Sequence, residues 1–229
     1  MTKVIPIKGD IVTNMYGDFY DYFGIDYASP KQVTKAINEA AGDELDVQIN
    51  SGGGIVDAGS EIYTALMSYS GNVTVSVVGM AASAASLIAM AGDVVQMSPS
   101  ATMMIHNVSS GAQGDYRDMA NAADMLKKAN DSIANAYELK TGMDHDKLLD
   151  LMNQTYWLSP KEAIELGFAN KMMFEEENRA PLTAALGNIP SMEQLEQFNK
   201  LIKPTSNNKE KAFLMAKNKL LSLGGQNIE

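Results

Sequence analysis

The sequence predicts an α/β fold with a largely parallel sheet. Apolar runs rich in β-branched residues recur between segments with helical periodicity, which is typical of strands joined by crossover helices. The candidate strands are 4–7, 11–12, 45–49, 73–78, 94–97, 102–105 and 171–174. The candidate helices are 29–42, 58–71, 83–92, 115–139, 144–152 and 159–167. We expect one body, residues 1–174, because a chain of 229 residues can bury one substantial core.

Helix-start signals support two of these helices, and the remaining segments are less regular. One helix start has Ser29 as the N-cap, Pro30 at the first helical position and Gln32 as the residue whose side chain bonds back to the N-cap backbone. Residues 159–162 repeat this pattern. The aromatic segment 16–27 has no clear period and is interpreted as a packed loop. Residues 175–229 are expected to form an amphipathic extension with helices near 191–202 and 209–223. This extension either docks on the body or a partner, or is a flexible tail.

Charge and composition exclude several classes of function. The chain has 18 basic and 28 acidic residues, a formal charge of −10, which argues against nucleic acid or an anionic membrane surface as a partner. It has no cysteine, so a cysteine nucleophile and a thiolate metal site are excluded, and a hydrolase here must use serine or threonine. Its 16 methionines fit core and subunit contacts better than a metal role.

Targeting signals are not found in the sequence. The N-terminus has no long apolar region followed by a small-residue cleavage site, so a cytoplasmic protein is expected. The most apolar run, 83–97, is interrupted by Gly92 and Asp93 well before the roughly 20 residues that a spanning helix needs. We therefore expect this run to belong to the core.

The stretch Val73–Gly92 contains the first candidate for chemistry. A buried strand is predicted to break at Gly79 into a block of small residues that forms a helix, with Ser83 at its start. Unpaired N–H groups at a helix start stabilise negative charge, which suits a nucleophilic serine. The alternative is that the alanines and serines only allow close helix packing, and this stretch alone favours that reading.

A glycine-rich turn follows the strand 45–49. No lysine follows Gly52, Gly53 and Gly54 as in a P-loop, so phosphate binding is not indicated. Glycines without a Cβ allow a substrate carbonyl to approach backbone N–H groups, which favours an oxyanion or peptide site. A purely structural tight turn remains the alternative.

Only two histidines are present, so the search for a general base is short. His145 lies in a polar helix start and is given no role. His106 follows an apolar strand at its carboxyl end and is the better candidate base for Ser83. A lone histidine at a strand end is more often structural. A serine, a histidine and a glycine turn that all lie at strand ends favour catalysis.

Together these three segments resemble the Clp peptidase family, whose motifs are an NSPGG turn, a GxAAS serine elbow and an MIH histidine. The chain has NSGGG at 50–54, GMAAS at 79–83 and MIH at 104–106, in the same order and at similar spacing. A later segment, LSPKEAIELGFAN, is also similar to the family. The resemblance covers about Val4 to Phe174, and Gly52 replaces the usual proline of the first motif.

The resemblance implies a fold of repeated ββα units, as in Clp peptidases and crotonases, with 115–139 as a projecting handle helix through which rings stack. It implies that Ser83 is the nucleophile, that His106 is its base and that Gly54 and Ala84 supply the oxyanion-hole N–H groups. No metal or cofactor is expected.

The resemblance also implies how the substrate and the subunits bind. An extended substrate peptide would pair as an added strand with Ile55, Val56 and Val108. The partners would be a peptide or protein substrate and further copies of the chain in a homo-oligomeric ring, with stacked heptamers as the family pattern.

One departure from the family concerns the third member of the triad. The family places an acid two residues before the aromatic residue of YWLS, and Thr155 stands there. A threonine can accept a hydrogen bond from an imidazole but cannot offset its charge, and loss of the acid can lower turnover roughly ten-thousand-fold. Either the activity is low, or another acid such as Asp150 or Asp115 takes the role, or assembly completes the site.

The aromatic segment, the run GMAASAASLIAMAGD and the amphipathic tail are more similar to the phage and prophage branch, the head maturation proteases. That branch is expected to trim capsid or scaffold proteins in the host cytoplasm without ATP. Because the chain begins almost at its first strand, docking to a Clp ATPase is not expected. Three alternatives remain: a host-type peptidase working with an ATPase, a weakened ring that serves as an assembly component, and a crotonase-like acyl-CoA enzyme.

Overall fold

The computed structural model describes residues 2–175 and the single helical position Gln197. The strands are β1 Thr2–Ile11, β2 Tyr27–Ala28, β3 Glu44–Gly54, β4 Val73–Ala82, β5 Val94–Met97, β6 Thr102–Ile105, β7 Tyr156–Leu158 and β8 Lys171–Met172. The helices are α1 Gly17–Phe23, α2 Pro30–Ala40, α3 Val56–Met67, α4 Ala84–Ala89, α5 Tyr116–Thr141, α6 His145–Asn153 and α7 Pro160–Glu165. A short 3₁₀ turn, Asn14–Tyr16, precedes α1.

The eight strands of the described residues form one sheet. Six of them follow one another in the order β2-β1-β3-β4-β5-β8, and β6 and β7 lie off this path. All neighbours along the path pair in parallel, which confirms the predicted α/β fold with its largely parallel sheet. The strand β4 is shared: its first half pairs with β5, and its last residues, Met80 to Ala82, pair with β6. The strand β7 pairs antiparallel with β6. This division of β4 places the ends of β4 and β6 beside each other.

The core lies on the side of the sheet that faces α3 and α4. Alternate residues of the central strands are fully buried there, among them Val47, Ile49, Val75 and Val77. Every residue of α4 is buried, which requires the small side chains that its sequence supplies. The helix start at Ser83 is therefore fixed within the core.

The long helix α5 confirms the predicted handle segment. It begins after Asp115, whose side chain caps it, and ends at Gly142 with a left-handed φ of 68°. Its buried residues are Ile133, Ala134 and Tyr137, so its first half contributes no buried residue to the core of the described region. The handle is attached to the body by its C-terminal half.

Several predicted boundaries were wrong. The first two predicted strands are one strand, β1, in which Gly9 adopts a φ of 67° at a register shift. The strand β3 continues through the glycine turn to Gly54, and β4 continues past Gly79 to Ala82. In these three places the ladder to a neighbouring strand overrides a glycine that would end an isolated strand.

Two segments were assigned the wrong structure. The aromatic segment interpreted as a loop contains the 3₁₀ turn, α1 and β2. The rings of Tyr20 in α1 and Tyr27 contact each other, with centroids 5.3 Å apart. Such aromatic contacts stabilise this segment although its sequence lacks the apolar periodicity of an amphipathic helix. The strand β7 was not predicted, because three residues are too few to show alternation.

Both predicted helix-start signals are confirmed. The Ser29 N–H donates to Gln32 Oε1 at 3.0 Å, and the Ser159 N–H donates to Glu162 Oε2 at 2.9 Å. None of the helices among the described residues has the length and apolar character needed to cross a lipid bilayer. The predicted extension, 175–229, lies outside the described residues except for Glu175 and Gln197, so the division into 1–174 and 175–229 stays a prediction.

Candidate active site

Ser83 and His106 meet at the carboxyl ends of two neighbouring strands. Ser83 directly follows β4 and His106 directly follows β6, and the Ser83 N–H donates to Met104 O at 2.9 Å. The Ser83 Oγ lies 2.8 Å from His106 Nε2. Both side chains are half-buried, so a reactant can reach them. The structure therefore brings together the hydroxyl and the imidazole that the sequence singled out.

Ser83 sits on a strained turn between β4 and α4. Its backbone has φ 56° and ψ −125°, a conformation that non-glycine residues seldom adopt. This geometry is typical of a nucleophile elbow, in which a sharp strand-to-helix turn exposes a serine hydroxyl above the sheet. Such strain persists only where the surrounding structure holds it.

The glycine turn packs directly against this elbow. Gly53 has a φ of 98°, and a Cβ added there would lie 2.7 Å from both Ala82 O and Ser83 Cβ. Gly54 has a φ of 153°, and a Cβ there would lie 2.1 Å from Ile11 O. Only glycine fits either position. The glycines therefore allow the end of β3 to approach both the elbow and β1.

The two predicted oxyanion donors lie on these adjoining segments. Gly54 is the exposed last residue of β3, and Ala84 is the first residue of α4. The N–H of a first helical residue has no partner within its helix. A Cβ added at Gly53 would lie 3.0 Å from the Ala84 nitrogen, so the backbones of the two segments are in contact beside Ser83.

Backbone groups of two predicted substrate-pairing residues, Ile55 and Val108, already make hydrogen bonds in this structure. The Ile55 N–H donates to Ile11 O at 2.8 Å, and the Ile55 carbonyl accepts from Gly59 N–H at 3.0 Å. Ile55 therefore stays a predicted pairing residue, whose N–H is already bonded to the sheet and whose carbonyl already accepts a hydrogen bond from α3. Val56 is the first residue of α3.

Val108 is also engaged. Its N–H donates to the side-chain oxygen of Asn130 in α5 at 2.8 Å. A substrate strand that used this N–H would have to displace Asn130. Val108 therefore stays a predicted pairing residue whose donor is already bonded in this structure.

His106 forms no hydrogen bond or ion pair with a carboxylate within the part of the chain that the structure describes. Among the described residues, no hydrogen bond or ion pair joins His106 to Thr155, Asp150 or Asp115. Asp115 instead caps α5 and pairs with Arg117, whose guanidinium nitrogen lies 2.6 Å from Asp115 Oδ2. This contact with the Arg117 guanidinium lowers the pKa of Asp115. The idea that Asp115 replaces the missing acid is therefore not supported by its contacts.

The residues beside His106 are held by α6. Asn107 donates through Nδ2 to Asn153 Oδ1 at 2.7 Å. The Asn107 Oδ1 atom is buried and has no hydrogen-bond partner among the described residues. His145, which the sequence left without a role, links α6 to α5, since its Nδ1 lies 3.0 Å from Glu138 Oε2.

Sequence reasoning missed three residues that contact this site. Asn130 accepts from the backbone N–H two residues after His106, Ser86 donates to the Ser83 carbonyl, and Tyr137 contacts the Ser86 hydroxyl. The position of Ser86, three residues after Ser83 in a predicted helix, was a usable signal, because such a spacing places it one turn away. Asn130 and Tyr137 gave no signal, because their contacts depend on where α5 packs.

A serine and a histidine at the strand ends of a parallel α/β sheet are typical of a serine-type hydrolase. A family profile described as Clp protease matches residues 30–176. The chain belongs to the Clp protease family, a family of serine-type peptidases. Its fold, with parallel strands, covering helices and the long α5, agrees with that family.

Two curated relatives illustrate the similarity. The chain is 34% identical over 139 residues to the "ATP-dependent Clp protease proteolytic subunit" of Deinococcus radiodurans, covering 59% of this chain and 68% of the relative. It is 29% identical over 138 residues to the protein of the same name from Dehalococcoides mccartyi, covering 59% of this chain and 69% of the relative.

Proposed function

We propose that this chain is a serine endopeptidase of the Clp type in which Ser83 is the nucleophile and His106 the general base. The observation that carries the proposal is the 2.8 Å contact between Ser83 Oγ and His106 Nε2 on a strained elbow. The Clp protease family supplies the reaction class, hydrolysis of a peptide bond.

In the first step, Ser83 Oγ attacks the carbonyl carbon of the scissile peptide bond, and His106 Nε2 takes the hydroxyl proton. The carbonyl π electrons move to oxygen and form an oxyanion. The N–H groups of Gly54 and Ala84 donate to this oxyanion and stabilise its charge. In the second step, the C–N bond breaks and His106 returns the proton to the leaving amine.

The resulting acyl-enzyme is hydrolysed by the same groups, with water as the nucleophile and Ser83 as the leaving group. His106 takes a proton from water, the hydroxide attacks the ester carbon, and Ser83 leaves with the proton from His106. For this cycle Nε2 must begin without a proton, so Nδ1 carries one. The family acid that would accept a bond from Nδ1–H is replaced by Thr155, and the peptidase is therefore slow.

The biological substrate is proposed as a capsid or scaffold protein, with cleavage during phage head assembly and without ATP. The support is that two segments resemble the phage branch: the aromatic segment, in which α1 lies and β2 begins, and the run 79–93. The chain is proposed to act as a homo-oligomeric ring in the host cytoplasm, with an exposed α5 available for contact between subunits.

The test has two parts. The first measures whether Ser83 is labelled by a fluorophosphonate and whether a peptide ester is hydrolysed. The second incubates the full chain with candidate capsid and scaffold proteins, without ATP, and maps the cleavage sites by mass spectrometry. Cleavage of these proteins by the wild type and not by Ser83→Ala is the expected result. If the enzyme is labelled and hydrolyses the ester but cleaves none of these proteins, the proposed substrate is wrong and the proposed peptidase activity stands.

A second candidate is a subunit that works with an ATPase. It is favoured by the two relatives, both of which are named as proteolytic subunits of an ATP-dependent protease. The discriminating measurement is degradation of casein by the full chain with and without a Clp unfoldase and ATP. Stimulation by the unfoldase that depends on ATP supports this candidate, and equal rates support the ATP-independent one.

A further inference from the structure

The carbonyl of Ser83 is held by three donors. It accepts from the Ser86 N–H at 2.9 Å, from the Ser86 Oγ at 2.6 Å and from the Leu87 N–H at 3.3 Å. This carbonyl belongs to the same planar peptide unit as the N–H of Ala84. In a trans peptide the C=O and N–H point in opposite directions, and the described residues contain no cis bond. Fixing the Ser83 carbonyl therefore fixes the direction of the Ala84 N–H.

The hydroxyl of Tyr137 continues this arrangement from α5. A serine hydroxyl has one proton, and Ser86 gives that proton to Ser83 O, since a carbonyl can only accept. The contact of 2.8 Å between Ser86 Oγ and Tyr137 Oη must therefore be donated by Tyr137. The order of donation is Tyr137 to Ser86 to Ser83 O, a chain in which each bond polarises and strengthens the next.

Both hydroxyls are buried, which makes them costly unless they are paired. Ser86 is 0% exposed and Tyr137 is 1% exposed. Burial raises the pKa of Tyr137 to about 12, so it keeps its proton throughout the neutral range. The ring of Tyr137 is fixed against Phe168, with centroids 5.6 Å apart.

We propose that Ser86 and Tyr137 are positioning residues that hold the peptide between Ser83 and Ala84 so that the Ala84 N–H stays aimed at the oxyanion. They touch no reacting atom and act through the elbow backbone. The unusual φ and ψ of Ser83 explain why these hydrogen bonds are needed, because a strained backbone relaxes unless its neighbours hold it. This inference rests on the proposed peptidase function and deepens it.

The test uses three variants of the full chain: Tyr137→Phe, Ser86→Ala and the double variant. Ser86→Ala leaves the Tyr137 hydroxyl buried without a partner and is expected to lower the melting temperature. The double variant removes both hydroxyls and is expected to recover much of that stability, because no buried donor is left unpaired. Tyr63→Phe is the matched control, since the Tyr63 hydroxyl makes no hydrogen bond with the described residues.

The readouts are kcat and KM for a peptide ester and the affinity of a peptide boronate, which forms a tetrahedral adduct with the active-site serine. The double variant is expected to lose about tenfold in kcat and in boronate affinity, with KM unchanged. This loss is smaller than the roughly 10²–10³ decrease in kcat that removal of an oxyanion donor causes, because the Ala84 N–H is misdirected but still present. The control is expected to match the wild type.

The outcomes separate the inference from the proposed function. A double variant with the kcat and boronate affinity of the wild type overturns the positioning role. So does a kcat that follows melting temperature alone across the three variants, because that indicates a structural role. If the wild type neither hydrolyses the ester nor binds the boronate at Ser83, the proposed function fails before the variants are compared.

Discussion

His106 and Thr155 are the next residues beyond the last antiparallel pair of β6 and β7, which is Ile105 with Tyr156. Its backbone has a φ of 53°, a left-handed conformation that is an outlier for a β-branched residue. The side chain is exposed and makes no hydrogen bond with His106 or any other described residue. The residue predicted for the third triad position is therefore strained, uncharged and without a hydrogen bond to the imidazole in this structure.

Thr155→Asp is expected to raise the activity. A carboxylate opposite the imidazole can hold Nδ1–H and offset the imidazolium charge, and its absence from a triad can cost roughly 10⁴ in turnover. We expect hydrolysis of a peptide ester to rise by about tenfold or more. The measurement is kcat/KM at neutral pH.

Thr155→Asn is the control for this change. Asparagine tolerates the left-handed conformation but carries no charge. Both variants should gain about 1 kcal/mol of stability from the relieved strain, measured by denaturant unfolding. Only the aspartate variant should gain large activity. Equal activity in the two variants would show that charge at position 155 does not matter and would count against the alignment with the family acid.

Gly53→Ala is expected to abolish activity. A Cβ there would lie 2.7 Å from Ala82 O and from Ser83 Cβ, so either the elbow or β3 must move. We expect loss of fluorophosphonate labelling and a cost of about 2 kcal/mol in unfolding free energy.

Gly52→Ala is the matched control in the same turn. Its nearest neighbour would be Met80 Cε at 3.8 Å, which is ordinary contact. This variant should keep its labelling and change stability by less than about 0.5 kcal/mol. Retained labelling in Gly53→Ala would show that the turn does not fix the elbow.

Asn130→Ala is expected to lower KM for a peptide substrate. Asn130 occupies the Val108 N–H that the substrate strand is proposed to use, and removing this competitor frees the donor. One net hydrogen bond corresponds to a KM decrease of between about threefold and tenfold, with kcat unchanged. Ser132→Ala is the control on the same helix, because among the described residues the Ser132 Oγ bonds only to Lys128 O. A higher KM in Asn130→Ala would mean that Asn130 supports the binding segment.

Tyr137 is expected to affect stability at alkaline pH. Burial raises its pKa in the folded state from 10.0 to about 12, so the unfolded chain releases this proton first. The stability from neutral Tyr137 is complete below pH 10 and is lost as the pH rises towards 12. In Tyr137→Phe the loss of unfolding free energy across this range should be smaller by about 2 kcal/mol. Equal losses in the two proteins, measured by denaturant unfolding at each pH, would contradict the buried, neutral phenol.

The sequence was sufficient for the parts of the fold that depend on local pattern. The strand 94–97, the strand 102–105 and the helix start at Ser83 were all predicted where the structure has them. The ends of β3 and β4 were not, because pairing across the sheet carries both strands past glycines. A single sequence shows where a strand can stop but not where its neighbour extends it.

The same limit applies to the site. Ser83 and His106 were predicted as partners from their positions at strand ends, and the structure places them in contact. The contacts of Asn130 and Tyr137 arise only when α5 packs across the elbow, at separations of 22 and 51 residues from the groups that they bind. No periodicity within α5 identifies these two polar positions among its many polar residues.

That His106 activates Ser83 as a nucleophile is tested most directly by the intact mass of the full chain after reaction with a fluorophosphonate. We expect one adduct per chain in the wild type, mapped to Ser83 by peptide mass spectrometry, and none in Ser83→Ala. In His106→Ala the labelling rate should fall by roughly 10³ or more, because the serine loses its base. An unlabelled wild type, or equal labelling in Ser83→Ala, would contradict the proposed catalytic pair.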